Sequence, residues 1–160
     1  MRARLLSTLA ACLLAAGSAL GAGGGGGGGP EAAEAKPSDP VMEAIEAAAA
    51  KSDWPRAREL ARDGVAKNTA SADYHNMYAY TLRMGASPQM DLVFKHYNEA
   101  LRLDPKHRGA HEYLGEAYLQ TGNLEKAKEQ LQTLDKLCFF PCKEFSTLKK
   151  AVADYEAKKR

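Results

Sequence analysis

The chain lacks a marked excess of charge of either sign. Its 160 residues contain 22 Lys and Arg against 20 Asp and Glu, which gives a formal net charge of +2. Without Arg2 and Arg4, near the N-terminus, each sign is represented 20 times. Because binding to nucleic acid or to an anionic membrane surface generally needs a basic excess, we expect neither kind of partner.

Residues that carry catalysis or bind metals are also few. The chain has only 3 cysteines and 4 histidines. His107 and His111 are four residues apart and could share a helix face, but no third ligand and no glutamate in a metalloprotease arrangement accompanies them. No residues have the spacing of a nucleophile with its base. We therefore expect no enzymatic activity, no cofactor and no metal site.

The N-terminal residues have the pattern of a secretory signal. Arg2 and Arg4 precede an apolar segment, residues 5–16, which is too short and too interrupted to span a bilayer. Small residues at Ala19 and Gly21 predict cleavage after Gly21. The sequence thus predicts a signal peptide over 1–21, a periplasmic or secreted location, and a mature chain without a membrane span.

A second reading of the same segment involves Cys12. The residues Leu9-Ala10-Ala11-Cys12 resemble a lipoprotein signal, in which Cys12 is acylated and becomes the first residue. This alternative would anchor the protein to a membrane instead of releasing it.

Seven consecutive glycines, Gly23 to Gly29, follow the signal. Glycine loses the most backbone entropy on ordering and has no side chain to bury. No Lys-Ser or Lys-Thr follows them, so they do not form a phosphate-binding loop. We predict a flexible linker over 22–40 and one folded domain over 41–160.

A repeat of 34 residues dominates that domain. When residues 74–107 are aligned without a gap on residues 108–141, apolar or small residues coincide. The coinciding pairs are Met77 with His111, Tyr80 with Leu114, Thr81 with Gly115, Met84 with Tyr118, Val93 with Ala127, Tyr97 with Leu131 and Ala100 with Leu134. A period of this length indicates stacked helical hairpins, because a single hairpin cannot bury its own apolar face.

The repeat resembles the tetratricopeptide repeat. The segment Leu114-Gly115-Glu116-Ala117-Tyr118, then Ala127, and in the first copy Tyr97, Ala100 and Pro105, carry the resemblance. It implies an all-α fold, an α-solenoid of about three hairpins at 38–71, 74–107 and 108–141, and fits a small exported bacterial protein. The apolar stripe of residues 143–158 predicts a C-terminal capping helix.

Helix starts and stops predict the remaining boundaries. Residues 41–51 are rich in Ala and Glu, and Asp53 with Pro55 predicts the start of a helix that ends near Lys67. The later helices are predicted at 72–84, 90–103, 107–120 and 124–137.

The resemblance also implies a binding surface. In this family the first helix of each hairpin lines a concave groove that holds a peptide or protein without reaction. We expect a protein-interaction module of the cell envelope, of unknown partner, with tyrosines and carboxylates in the groove. The predicted partner-binding residues are His75, Tyr78, Leu82, Glu112, Tyr113, Glu116 and Gln120.

Cys138 and Cys142 are the only cysteines that remain after the signal. An even count in an exported chain favours a structural disulfide, which would fix how the last helix docks. Two alternatives stay open, a site for Cu(I), which prefers thiolate ligands, and thiol–disulfide exchange. Either would make the protein a metal-handling or thiol-handling accessory.

Overall fold

The computed structural model describes residues 39–159, which lie within the unit Pro37–Arg160. All regular structure in this range is helical. The seven helices are α1 Pro40–Ala50, α2 Trp54–Lys67, α3 Ala72–Met84, α4 Met90–Leu103, α5 Arg108–Gln120, α6 Leu124–Leu137 and α7 Lys143–Lys158. The predicted all-α solenoid is therefore confirmed. The predicted signal peptide, Cys12 and all but the last two residues of the predicted linker lie outside the described residues.

The helices begin where side chains can accept hydrogen bonds from free backbone amides. Asp39 caps α1, Asp53 caps α2, Ser71 caps α3 and Asn123 caps α6. Pro40 and Pro55 occupy first turns, where the missing N–H costs no helical hydrogen bond. Helix α1 therefore begins at Pro40, one residue before the predicted start of the folded domain.

Three hairpins, α1–α2, α3–α4 and α5–α6, stack in chain order, and α7 packs against α5 and α6. Apolar residues between them form three neighbouring clusters. The last cluster joins Leu134 of α6 to Leu148 and Val152 of α7. The final helix thus covers the apolar side of the third hairpin, as a solenoid cap does.

Glycines allow close packing at two points, between the third hairpin and α7 and between the first two hairpins. A Cβ atom added to Gly115 would lie 2.5 Å from Leu148 Cδ2, and one added to Gly64 would lie 2.7 Å from Tyr74 Cδ1. Both side chains therefore pack directly onto the glycine backbone. Tyr74 is also tied to the first hairpin, because its hydroxyl donates to Asp39 Oδ2 at 2.8 Å.

The structure corrects the ungapped 34-residue alignment. The turn within the second hairpin covers residues 85–89, whereas the corresponding turns cover only 51–53 and 121–123. The second helices α4 and α6 therefore begin 34 residues apart, but the first helices α3 and α5 begin 36 residues apart. Tyr78, not Tyr80, corresponds to Leu114, and Leu82, not Met84, corresponds to Tyr118.

Equivalent hydrogen bonds support the corrected alignment. His75 Nε2 donates to the carbonyl oxygen of Thr69, and His111 Nε2 donates to that of Pro105, both at 3.1 Å. His75 Nδ1 lies 2.8 Å from His96 Nδ1, and His111 Nδ1 lies 2.8 Å from Gln130 Oε1. The two histidines thus do the same structural work in successive hairpins, each bonded to the loop before its helix and to the helix after it.

Candidate functional site

Four side chains connect the first helices of the second and third hairpins. The rings of Tyr80 on α3 and Tyr113 on α5 stack with centroids 4.8 Å apart and planes 29° apart. Arg83 Nη2 on α3 donates to Glu116 Oε2 on α5 at 2.6 Å. We call Tyr80, Arg83, Tyr113 and Glu116 the α3–α5 face. It consists of residues from the helices that line the groove in the family the sequence resembles.

Arg83 lies at the centre of this face although only 8% of it is exposed. Its guanidinium carbon lies 5.7 Å from the ring centroid of Tyr80 and 5.9 Å from that of Tyr113, within the range of a cation–π contact. Burial acts to lower the pKa of Arg83, but the nearby Tyr97 and Glu116 raise it on balance. The arginine therefore stays charged beneath the two tyrosines.

A third aromatic residue extends the pair. Trp54, the first residue of α2, packs edge-on against Tyr80 with centroids 5.8 Å apart and planes at 75°. Trp54, Tyr80 and Tyr113 come from three consecutive hairpins. They form a row of rings held in fixed mutual orientation, which we call the aromatic row.

Glu112 has the most perturbed carboxyl group near this face. It is buried, and burial, followed by the charges of Glu116 and Glu144, raises its pKa to about 7. Lys143 and Thr147 of α7 act in the opposite direction. Burial beside Glu112 also raises the pKa of Tyr113 to about 12. Near neutral pH the Glu112 carboxyl group is therefore only partly ionised.

The predicted site residues on α3 lie mainly in packed surroundings. Leu82 is 1% exposed and belongs to the core between α3, α4 and α5. His75 is buried and bonded to His96, and Tyr78 packs edge-on against His96 with centroids 4.7 Å apart. His75 and Tyr78 thus pack against α4, and Leu82 packs against both α4 and α5. Their part in binding a partner stays a prediction.

The predicted residues on α5 have mixed surroundings. Tyr113 and Glu116 are half-buried members of the α3–α5 face, Gln120 is exposed, and Glu112 is buried. Their part in binding a partner stays a prediction. The structure brings Tyr113 and Glu116 together with Tyr80 and Arg83, two residues that the sequence analysis did not select.

The face is less acidic than the sequence suggests. The charge of Glu116 is neutralised by Arg83, and the carboxyl group of Glu112 is partly protonated at neutral pH. The remaining character of the face is aromatic. A partner is therefore expected to gain more from apolar and ring contacts than from an excess of basic residues.

Cys138 and Cys142 flank the short loop between α6 and α7. Their Cα atoms lie 5.7 Å apart, a separation that a disulfide can bridge. Within residues 39–159 no three His, Cys, Asp or Glu side chains group as a metal site would require. In the same range no helix has the length and hydropathy needed to cross a membrane.

The fold and the face together define a class of protein, an α-solenoid of stacked helical hairpins. Residues 90–137 match the model of the tetratricopeptide repeat. This match, together with the hairpins and the corrected repeat described above, supports a tetratricopeptide-repeat protein. No curated protein matches its sequence significantly.

Several solved structures share the fold. The type III secretion translocator chaperone SycD of Yersinia enterocolitica is 16% identical with a TM-score of 0.63, over 74% of this chain and 83% of that one. The Arabidopsis OM64 repeat domain is 17% identical, TM-score 0.62, over 72% and 93%. The second repeat domain of human RPAP3, in complex with an HSP70 peptide, is 20% identical, TM-score 0.60, over 71% and 92%. SycD is also seen with a peptide of the translocator YopD, TM-score 0.60, 17% identical, over 75% and 92%.

The raised pKa of Glu112 predicts a pH-dependent stability. The folded state holds this proton up to about pH 7 and the unfolded chain only to about 4.5, so stability falls as pH rises from 4.5 through 7. Glu112→Gln removes the ionisation. We expect its melting temperature to exceed that of the wild type at about pH 8 and to approach it at about pH 5.

The exposed Glu129→Gln serves as the control and should follow the wild type at both pH values. A difference between Glu112→Gln and the wild type that does not change with pH would contradict the assignment.

Proposed function

We propose that the protein is a non-enzymatic interaction module of the cell envelope that holds a peptide or protein partner in its groove, on the α3–α5 face. The observation that carries the proposal is the aromatic row fixed over the buried Arg83. Tyrosine and tryptophan supply large contact areas at interfaces and are frequent among the residues that dominate binding energy.

The fixed geometry of the row supports binding to an extended or helical segment. Tyr80 is held between Trp54 and Tyr113, and Tyr113 is also buried against Glu112 and Arg83. Ordering mobile side chains on binding costs about 0.5–1.5 kcal/mol each. Rings that are already ordered in the free protein avoid most of this cost.

The chemistry of the face indicates the kind of segment that fits. The carboxylate of Glu116 is engaged by Arg83 and Glu112 is buried, so little free negative charge is offered. We expect the bound segment to contribute apolar or aromatic side chains. Two of the similar structures, of RPAP3 and of SycD, are complexes with peptides, which favours a peptide as the ligand here.

The envelope location rests on the N-terminal signal pattern of the sequence. An exported chain meets an oxidising environment, in which the pairing of Cys138 with Cys142 is favoured. Such a disulfide would restrain the chain at the entry to α7, next to the third hairpin. We include both the export and the disulfide in the proposal.

Capture from envelope extract tests the binding face. Met84 is 40% exposed and Gln120 is exposed, and the two occupy corresponding positions at the ends of α3 and α5. We expect immobilised wild-type protein to retain a specific envelope protein, and Met84→Lys with Gln120→Lys to reduce its recovery at least about tenfold. Met84 follows Tyr80, and Gln120 follows Glu116, by one helical turn, so two charges placed there oppose apolar contacts with the α3–α5 face.

The matched control is Asn98→Lys with Gln132→Lys, at exposed corresponding positions of the second helices α4 and α6. Equal recovery with wild type and with both double variants would show that the face is wrongly assigned. Reversing the charge of Glu112 or Glu116 is a poorer test, because Glu112 is buried and Glu116 holds Arg83.

Intact-mass spectrometry tests export and the disulfide together. We expect protein purified from its own cells to begin at Ala22 and to gain no mass from a thiol-alkylating reagent until it is reduced, when Cys138 and Cys142 both react. Alkylation of both cysteines without reduction would exclude the disulfide. A chain that retains its N-terminal segment, or that carries a lipid on Cys12, would contradict cleavage after Gly21.

A further inference from the structure

A cavity of about 320 Å³ lies between the start of α2 and the turn of the second hairpin. Its lining residues are Trp54, Pro55, Arg58, Gly85, Ala86 and Ser87. The walls are mainly apolar, with one cationic group. None of the residues predicted from the sequence to bind a partner lines it.

The longer turn of the second hairpin forms half of this cavity. Gly85, Ala86 and Ser87 belong to the turn 85–89, which has two residues more than the turns 51–53 and 121–123. The turn that shifts the alignment of α3 therefore also provides a wall of the cavity. The insertion distinguishes this hairpin from the other two.

Arg58 is the unusual member of the lining. Of the six arginines within residues 39–159, the other five each pair with a carboxylate. Arg58 Nε is buried and has no hydrogen-bond acceptor in that range. A buried donor without an acceptor is costly, more so when it is charged. The guanidinium therefore favours an acceptor brought from outside.

The guanidinium lies against the turn of the second hairpin. A Cβ atom on Gly85 would overlap Arg58 Nη2, so the absence of a side chain at Gly85 lets the arginine lie against the backbone. A guanidinium held in this way presents its N–H groups in a fixed fork, which matches the two oxygens of a carboxylate.

We propose that this cavity binds a carboxylate of the partner peptide together with an adjacent apolar side chain. The carboxylate pairs with Arg58, and the apolar side chain packs against Trp54 and Pro55. One cation matches one carboxylate, whereas a phosphate dianion would leave charge uncompensated. This inference rests on the proposed function in that the ligand is part of a peptide. Trp54 also contacts Tyr80, so the cavity adjoins the aromatic row.

The probe for this site is N-acetyl-phenylalanine, compared with its uncharged amide. Trp54 is the only tryptophan of the 160 residues, so its fluorescence and its indole N–H resonance report on one residue, which lines the cavity and contacts Tyr80. We expect N-acetyl-phenylalanine to change both signals with a Kd on the order of 1 mM, as its size allows. The amide should bind at least about tenfold more weakly, because it cannot pair with the guanidinium.

Variants on the same helix provide the second arm. Arg58→Gln should weaken binding of N-acetyl-phenylalanine about tenfold, to the level of the amide. Arg62→Gln, which alters an exposed arginine of α2, should leave binding unchanged. Equal binding of the acid and the amide to the wild-type protein, or no change in the Trp54 signals with either, would overturn the proposal without any variant being needed.

A last pair of probes identifies the source of the carboxylate. N-acetyl-phenylalanine presents the C-terminus of a chain, and N-acetyl-phenylalanyl-glutamic acid α-amide presents only a side-chain carboxylate. Tighter binding of the first probe would identify the ligand as a peptide C-terminus. Tighter binding of the second would identify it as an acidic side chain within a peptide. Met84 and Gln120 do not line the cavity. The capture experiment with their lysine variants therefore tests the α3–α5 face, whereas the probe experiment tests the cavity, and either proposal can fail without the other.

Discussion

The pairing of Arg83 with Glu116 is the interaction on which the site depends. It joins two hairpins across α3 and α5 at 2.6 Å, with Arg83 almost fully withdrawn from solvent. Leaving one member of a buried ion pair alone costs about 3–5 kcal/mol. The pair also positions the guanidinium beneath Tyr80 and Tyr113, and the charge of Glu116 helps to raise the pKa of Glu112. The pair therefore links the order of the rings to the local electrostatics, whereas the apolar clusters pack the hairpins together.

Most of the fold could be predicted from the sequence because its signals are local. Capping residues, prolines and small residues give the ends of the helices, and α3, α4, α6 and α7 cover the predicted residues. The alignment of α3 with α5 could not be predicted from such local signals. Two sets of apolar residues in α3 can be matched to α5, namely Met77, Tyr80 and Met84, or Tyr78 and Leu82. The ungapped alignment uses the first set, because the sequence alone does not show that the turn 85–89 is two residues longer than the others.

The site was predicted only in part, for a related reason. Tyr113 and Glu116 lie on the helix whose alignment was correct. Arg83 is identified by its contacts with Glu116, Tyr80 and Tyr113, and Trp54 by its contact with Tyr80. Arg58 is identified by the missing acceptor at its Nε atom. Such relations join different hairpins and leave no periodic signal. The longer turn of the second hairpin links these findings, because it changes which residues of α3 and α5 correspond and also forms a wall of the Trp54 cavity.

A double-mutant cycle between Arg83 and Glu116 tests this account most directly. The free energy of unfolding would be measured by urea denaturation for the wild type, Arg83→Met, Glu116→Gln and the double variant. Glu116→Gln leaves the buried Arg83 without its carboxylate, and Arg83→Met leaves the half-buried Glu116 without its cation. The account therefore predicts that the double variant loses less than the sum of the two single losses, with a coupling of about 1–3 kcal/mol. Additive losses, within about 0.5 kcal/mol, would show that the two side chains do not hold the hairpins together.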